Sequence, residues 1–361
     1  MKIISVIGAR PQIIKEAMFQ KELSNFENIN EIVIHTGQHY DNKMSGDFFD
    51  KLNIKKPDYF LNINQKSHAE MTALMMIELE KIFIYEKPDY VLVYGDTNST
   101  LAGAIVARKM NIKVIHVEAG LRQEPKSMPE EINRVLTDHS SDFLFVPSDF
   151  AIKNLEREGI DKNVYNVGDI MYDLYKYMEP HFNLDIYKKL GLVLGNYLVL
   201  TLHRDFNVDN KEFLEMILIS LSELSTKISI VFPIHPRTMN RIKEFSLEKY
   251  LHNFVMVEPL DYFDLMGLVK NSYKVITDSG GLQKEAYFSF KQACIIMPDT
   301  GWRELIDLKY NILVNNTNLI DKVLQKPTKI DISNIYGDGN TAKRIIEILI
   351  GDFNNNNFKG E

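Results

Sequence analysis

VITDSGGLQKEA, Val275 to Ala286, decides the reading of the fold. The apolar run Tyr273–Ile276 predicts a buried strand, and Thr277–Gly281 the turn that ends it. From Leu282 onward the pattern predicts a helix, with Leu282, Ala286 and Phe290 at intervals of four. Gly280 and Gly281 lack side chains, so an anion can approach backbone N–H groups at a helix N-terminus, where the dipole also favours negative charge. Glu285, about one turn further on, suits sugar hydroxyls and not phosphate. A pyrophosphate with a ribose beside it satisfies both features. A plain strand–turn–helix corner accounts for the segment equally well.

The same alternation runs along the chain. Strand candidates are Ile3–Ile7, Glu31–His35, Tyr90–Tyr94, Val114–Val117, Phe143–Val146 and a short one at Val164–Val167. A second series comprises Tyr197–Leu202, Ile228–Pro233, Phe254–Val257, Tyr273–Ile276, Ala293–Met297 and Ile312–Val314. Helical patterns fill the gaps, the longest being Ala69–Tyr85. Strands alternating with helices mean right-handed βαβ units and parallel sheets. Two series of strands predict two doubly wound α/β domains, residues 1–168 and 169–340, followed by a C-terminal helix and tail over 341–361. The linker is expected within Gly168–Gly195. Asp331–Gly339 reads as a turn-rich break before a last helix, Thr341–Ile350. The tail GDFNNNNFKGE is polar and is expected to fray.

Bulk properties narrow the class. A chain of 361 residues holds two or three domains at about 150 residues each. Forty-nine acidic against 42 basic residues leave a net charge of −7, which argues against general nucleic-acid binding. Any anionic ligand must then be held by locally placed Arg, Lys and His. The single cysteine, Cys294, excludes an internal disulfide framework and a Cys-rich zinc site, and fits a reducing cytosol. The N-terminus MKIISVIGARPQ has no long apolar core, and no apolar run reaches the roughly 18 residues of a membrane span. The expectation is a soluble cytoplasmic protein.

Ligands of open parallel sheets sit beyond the carboxyl ends of the strands, so the polar residues there are the ones to read. After the first strand comes GARPQIIK, where Pro11 fits the first position of a helix and Arg10 can make a two-pronged phosphate contact. No GxGxxG follows this strand and no Walker A motif occurs, which disfavours dinucleotide and P-loop readings. YGDTNST places Asp96 at the tip of the third strand, where it can also cap the next helix. HVEAGLR places Glu118 where an apolar strand meets a glycine turn. In PEEINRVLTDH, Glu130, Glu131 and Arg134 occupy the first turns of a helix after Pro129, a setting that ordinary helix-dipole chemistry also explains. Carboxylates converging on one cleft can have their pKa values driven apart, giving one acid and one base. In the second half, TLHRDFN and FPIHPRT place His203, Arg204, His235 and Arg237 at the ends of neighbouring strands facing the DSGG turn. Two His–Arg pairs there neutralise a diphosphate and can protonate it as it leaves. No HxxxH, HExxH or carboxylate-rich metal loop is present, so no metal and no added cofactor are expected.

Gly8-Ala9-Arg10-Pro11 with Lys15, HTGQHY (His35–Tyr40), GDTNST (Gly95–Thr100), HVEAGLR (His116–Arg122), MPEEINR (Met128–Arg134), LHR and TDSGGLQKEA together resemble the non-hydrolysing UDP-N-acetylglucosamine 2-epimerases. The resemblance is colinear from Lys2 to about residue 315. It implies a GT-B-like pair of Rossmann-like domains with the active site in the interdomain cleft, and interconversion of UDP-GlcNAc and UDP-ManNAc without a cofactor. It implies that Arg10, Ser279, Gly280 and Gly281 hold phosphates and that Glu285 holds the ribose hydroxyls. Leu260 and Leu265 would lie near the uracil, Leu265 replacing a more usual aromatic. Lys15, Asp96, Glu118, Glu130, Arg134 and His203 would surround the sugar and the bond being broken. The expected partner is a UDP-sugar, with no nucleic acid and no membrane, and the expected assembly is a homodimer.

The chemistry explains such a set. The sugar C2 proton is not next to a carbonyl, so direct deprotonation is very unfavourable. Breaking the C1–O bond to UDP develops positive charge at C1 and acidifies C2–H. Elimination leaves 2-acetamidoglucal and UDP, and re-addition with protonation on the other face inverts C2. Proton carriers on two faces and a cationic cradle are required, and closure of the two domains would keep water out.

Two departures from the family stand out. Where related chains often carry RPETEWVE, this one reads MPDTGWRE, Met297 to Glu304; an arginine becomes Met297 and a glutamate Gly301, with Arg303 as a candidate replacement cation. After Gln38 and His39 come Tyr40-Asp41-Asn42, without the residues that form an activating second UDP-GlcNAc site in some bacterial relatives. GARPQ and MPEEINR also resemble the branch acting on UDP-2,3-diacetamido-2,3-dideoxyglucuronic acid. A GT-B glycosyltransferase would share the fold but would not need three carboxylates from the N-terminal half. A hydrolysing 2-epimerase would release UDP and free ManNAc, and a catalytically dead nucleotide-sugar sensor would lack turnover.

Overall fold

The computed structural model describes residues 1–38, 55–64, 66–330 and 335–357. In the N-terminal half, β1 (Lys2–Ile7), β2 (Asn30–His35), β3 (Tyr59–Phe60), β4 (Tyr90–Tyr94), β5 (Lys113–Val117), β6 (Phe143–Val146) and β7 (Val164–Asn166) form one sheet. Its order is β3-β2-β1-β4-β5-β6-β7, and every pairing is parallel. In the C-terminal half, β8 (Tyr197–Thr201), β9 (Ser229–Pro233), β10 (Phe254–Val257), β11 (Lys274–Thr277), β12 (Ala293–Ile295) and β13 (Asn311–Leu313) form another parallel sheet, ordered β10-β9-β8-β11-β12-β13. Both orders reverse direction once, at β1/β4 and at β8/β11. Those reversals are the switch points at which an open α/β sheet offers a ligand crevice.

The sequence explains why the strands are central. YVLVY of β4 and FLFV of β6 are buried throughout, as parallel strands covered on both faces require. One face is covered by the helix His68–Glu86, whose Met71, Met75, Leu79 and Phe83 recur every fourth position and pack with Ile4, Val6, Val91 and Val93. Truncating one such side chain, Leu79→Ala for example, costs about 2–5 kcal/mol. Ser67 caps this helix by accepting the Glu70 N–H at 3.2 Å. The other face packs Ile3, Leu92 and Phe143 with Ile345, Ile346 and Leu349 of the C-terminal helix.

The chain divides into two compact units: Met1–Lys176 together with the segment from Asn334 onward, and Tyr177–Ser333. The first unit therefore runs past residue 168, and the last helix belongs to it. Asp169 donates its N–H to the Tyr336 carbonyl at 3.0 Å, and Asp173 accepts the Ala342 N–H at 2.8 Å. The expected end of that helix at Ile350 is also too early: it spans Thr341–Asn357. Asp352 explains the extension, since its carboxylate accepts from the Tyr90 hydroxyl and from Lys113, both at 2.5 Å.

The decisive stretch needs one correction. The helix begins at Gly280 and ends at Phe288. Leu282 and Ala286 are buried, but Phe290 lies beyond the helix end at φ +58° and is exposed.

Candidate active site

In the first unit the loop after β1 is built by close approach. A Cβ on Gly8 would fall 2.1 Å from Ser99 Oγ and 2.3 Å from Thr36 Oγ1, so only glycine fits. Buried Gln12 ties this loop to β4. Its Oε1 accepts the N–H groups of Gly8 at 2.7 Å and Ala9 at 3.1 Å, while its Nε2 donates to the Tyr94 carbonyl at 2.7 Å. Arg10 opens the helix Arg10–Leu23, with Pro11 in its first turn, and the Arg10 side chain lies outside the described residues.

Lys15, one turn into that helix and buried, forms an ion pair with Glu118 after β5. Glu118 takes φ +73°, a left-handed conformation that costs a β-carbon-bearing residue about 1–2 kcal/mol. Strain of that kind at a charged strand end points to a functional constraint. Asp96 follows Gly95 at the end of β4 and is held by Arg134 at 2.5 Å. Arg134 also binds Glu131 at 2.8 Å, and the Asn133 amide donates to the Asp96 carbonyl at 2.9 Å. The cap of the next helix comes from Thr97, whose Oγ1 accepts the Thr100 N–H at 3.3 Å, so Asp96 keeps its carboxylate for Arg134. Glu130 is exposed in the first turn of the helix Pro129–Ser140, whereas neighbouring Glu131 is buried and accepts the Gln123 N–H at 3.0 Å. The carboxyl ends of β1, β4 and β5 thus gather Lys15, Glu118, Asp96 and Arg134.

In the second unit the organiser is Asp278, fully buried after β11. It accepts the backbone N–H of Arg204 at 2.9 Å and the Asn207 amide at 3.1 Å. Burial raises its pKa, but hydrogen bonds and charge from His203, with the Arg204 N–H and Asn207, more than offset this and hold the carboxyl below its ordinary range. Arg204 Nε donates to the Asp278 carbonyl at 3.3 Å, and its guanidinium reaches to 3.9 Å of where a Gly280 Cβ would stand. A Cβ on Gly281 would meet nothing within 4 Å, so the two glycines leave the N-terminus of the helix Gly280–Phe288 uncovered. Ser279 caps that helix, accepting the Leu282 N–H at 3.4 Å. His235 caps the helix Pro236–Glu244 through Nδ1, at 3.2 Å from the Arg237 N–H. Burial lowers its pKa, and the nearby His203 and Arg237 lower it further. Glu285 is half-buried further along the Gly280–Phe288 helix; Leu260 and Leu265 are half-buried before and inside the helix Tyr262–Asn271. Among the described residues, no group of three or more His, Cys, Asp or Glu is placed to hold a metal ion.

The Met297–Glu304 loop is laced onto this same helix. Thr300 Oγ1 donates to Gln283 at 2.6 Å, Trp302 Nε1 donates to the Gly280 carbonyl at 3.1 Å, and Lys284 stands 3.8 Å over the Trp302 ring. Arg303 pairs with Asp299 at 2.6 Å and keeps its side chain partly exposed. His39 to Asn42, the segment read for an activating second site, lie outside the described residues.

A family model described as UDP-N-acetylglucosamine 2-epimerase matches residues 21–350. The chain belongs to that family. A UDP-N-acetylglucosamine 2-epimerase homolog of Methanococcus maripaludis is 44% identical over 97% of this chain and 99% of its own length. A UDP-2,3-diacetamido-2,3-dideoxy-D-glucuronate 2-epimerase of Pseudomonas aeruginosa is 41% identical with the same coverage. The crystal structure of Methanocaldococcus jannaschii UDP-GlcNAc 2-epimerase in complex with UDP-GlcNAc and UDP superposes with a TM-score of 0.85 at 42% identity, covering 97% of this chain and 99% of that one. The chain is thus an isomerase with the family's two parallel-sheet α/β domains, of the GT-B-like type. Among its described residues no helix is long and apolar enough to cross a membrane.

Sequence reasoning passed over three side chains of this epimerase-family chain that organise the two sets. Gln12 and Asp278 both stand inside quoted motifs; Gln12 is uncharged, and Asp278, though charged and directly after β11, is fully buried and turned onto backbone N–H groups instead of a ligand. The third, Asp138, falls in the helix Pro129–Ser140, far in sequence from the β5 residues it serves.

Proposed function

We propose that the chain interconverts UDP-GlcNAc and UDP-ManNAc by eliminating UDP and adding it back. The observation that carries this reading is the division of charge: carboxylates and one buried lysine at the strand ends of the first unit, histidines and arginine around an uncovered helix N-terminus in the second. The second set suits the diphosphate, whose oxygens accept from backbone N–H groups and Arg204. Glu285 suits the ribose hydroxyls, and Leu260 with Leu265 suits the uracil. In the first set a carboxylate takes the C2 proton as the C1–O electron pair leaves with UDP and a C1=C2 double bond forms. A second acidic group then returns a proton to C2 from the opposite face, and the phosphate oxygen re-forms the bond to C1. Atoms and electrons balance within substrate and protein, so no external oxidant enters. Lys15 beside Glu118 stabilises that carboxylate in its charged form.

The 41% identity to the Pseudomonas enzyme supports a second reading, the C2 epimerisation of UDP-2,3-diacetamido-2,3-dideoxyglucuronic acid. That sugar differs from UDP-GlcNAc only at C3 and C6. The altered Met297–Glu304 loop, anchored on Gln283 and Gly280, supports a change of specificity. The reading includes a homodimer in the cytoplasm, and the single, buried Cys294 suits that compartment. Incubating the protein with both UDP-sugars and following the anomeric protons by NMR tests the choice. Conversion of UDP-GlcNAc supports the first reading, conversion of the diacetamido acid alone the second, and release of free ManNAc would refute both.

A further inference from the structure

Two of the proposed reacting carboxylates stand on backbone outside any regular element. Gly95, just before Asp96, has φ +62°; Glu118 has +73° and Gly120 +78°. The first turn meets one fully buried side chain, His116 of β5, and the second is tied to it through Asp138. The His116 Nε2 lies 2.8 Å from the Gly95 carbonyl oxygen, and its Nδ1 lies 2.6 Å from Asp138 Oδ1.

The partners dictate the protons. A carbonyl oxygen only accepts, so Nε2 must carry hydrogen. Asp138 Oδ2 already accepts the Gly120 N–H at 3.1 Å and the Arg122 guanidinium at 2.7 Å. Paired with that guanidinium, the carboxyl is held as the carboxylate. An ionised carboxylate is acceptor-only, so Nδ1 must carry hydrogen too. A neutral ring would leave one of its nitrogens facing an acceptor with a lone pair, a cost that buried polar groups rarely bear. Acidic groups surround the pair. Arg122 holds Glu158 through Nε at 2.7 Å and through Nη2 at 2.6 Å, and its Nε also stands 4.0 Å from Glu131, which Arg134 shares, so His116 and Arg122 lie among three carboxylates, Asp138, Glu158 and Glu131. His139, at the rim of this group, stands 3.6 Å from Glu158.

We propose that His116 is a buried imidazolium that acts as a positioning residue, locking the Gly95–Asp96 turn and the Glu118–Gly120 turn in one fixed geometry. It touches no substrate; it sets where two carboxylates point. This role rests on the proposed function in that Asp96 and Glu118 are taken as the groups that meet the sugar. The charge itself rests only on the hydrogen bonds.

Nitrogen-15 NMR of the histidine-labelled full chain in neutral buffer, with His116 assigned by its loss in His116→Gln, reads that charge without substrate. Both ring nitrogens are expected to carry a directly bonded hydrogen, and a ring nitrogen without one would overturn the proposal. His116→Gln and Asp138→Asn are then compared with wild type for kcat, KM and UDP affinity. The expected result is a fall in kcat of about 10–100-fold, the scale seen when an outer group that orients a reacting one is lost, with UDP affinity held. Wild-type kcat in either variant, shown folded by circular dichroism, would overturn the positioning role. If wild type exchanges no C2 proton, the proposed function fails and the spectrum still reports on His116.

Discussion

Asp278 accepts the backbone N–H of His203 through both carboxylate oxygens, at 3.1 and 3.0 Å, and its Oδ1 stands 3.1 Å from His203 Nδ1. One buried anion thus sets both the path and the ring orientation of the histidine in the loop after β8. Asp278→Asn puts an amide among donors, and the loss of charged hydrogen bonds is expected to cost about 1.5–3 kcal/mol of stability. Urea titration with the UDP affinity measured in parallel checks it; wild-type values for both would show that Asp278 does not organise this end of the sheet.

The anion cradle makes its own prediction. Arg204→Ala and Glu285→Ala are expected to weaken UDP binding by about 1.5–3 kcal/mol each, the value of a charged hydrogen bond. Calorimetry is the check. Unchanged affinity in both variants would mean that the nucleotide lies elsewhere.

In the first unit, Asp96→Asn, Glu118→Gln and Glu130→Gln are each expected to lower turnover by at least about 100-fold, as for groups handling protons in the transition state. UDP affinity should hold. Glu130 is the sharpest of the three, because it is exposed and its loss leaves no buried group unpaired. Wild-type turnover in all three variants would remove the proposed proton carriers.

How much of this was legible in the sequence depended on whether the signal was local. Unbroken apolar runs such as Tyr90–Tyr94 and Phe143–Val146 matched their strands end to end. The two-residue Tyr59–Phe60 strand carries too little pattern to be seen. Arg134 was read beside Glu130 and Glu131 in one helix turn, yet its contact with Asp96 spans 38 residues and needs the fold. The same holds for Asp352, whose partners Tyr90 and Lys113 are 262 and 239 residues away, so a helix bound at its end looked like a loose tail. Position picks out the exposed charged residues at strand ends; it does not pick out buried Gln12, or Asp278 directly after β11, because their work is hydrogen bonding to distant backbone.

Asp173 gives a pH test of the C-terminal attachment. Burial, only partly offset by the Ala342 and Thr341 hydrogen bonds, pushes its carboxyl up to about 6. A carboxyl whose folded value exceeds its unfolded value, about 3.9, costs stability once pH rises past that value. The full cost is present above about 6. Asp173→Asn keeps an acceptor for Ala342 and removes the charge. Its Tm is therefore expected to exceed that of wild type at neutral pH, with the gap closing as pH falls to about 4. A Tm below wild type throughout would show that the charge is not the cost.

The central claim is that C2 inverts through an eliminated intermediate, and deuterium incorporation tests it most directly. By the proposed mechanism the C2–H bond is broken and rebuilt from the other face, so epimerisation in D2O should place deuterium at C2 of the product, with traces of free UDP and 2-acetamidoglucal on long incubation. A C4-type route, in which the inverting carbon itself is transiently oxidised, would return the same hydride. Product formed in D2O that keeps protium at C2 would contradict the account.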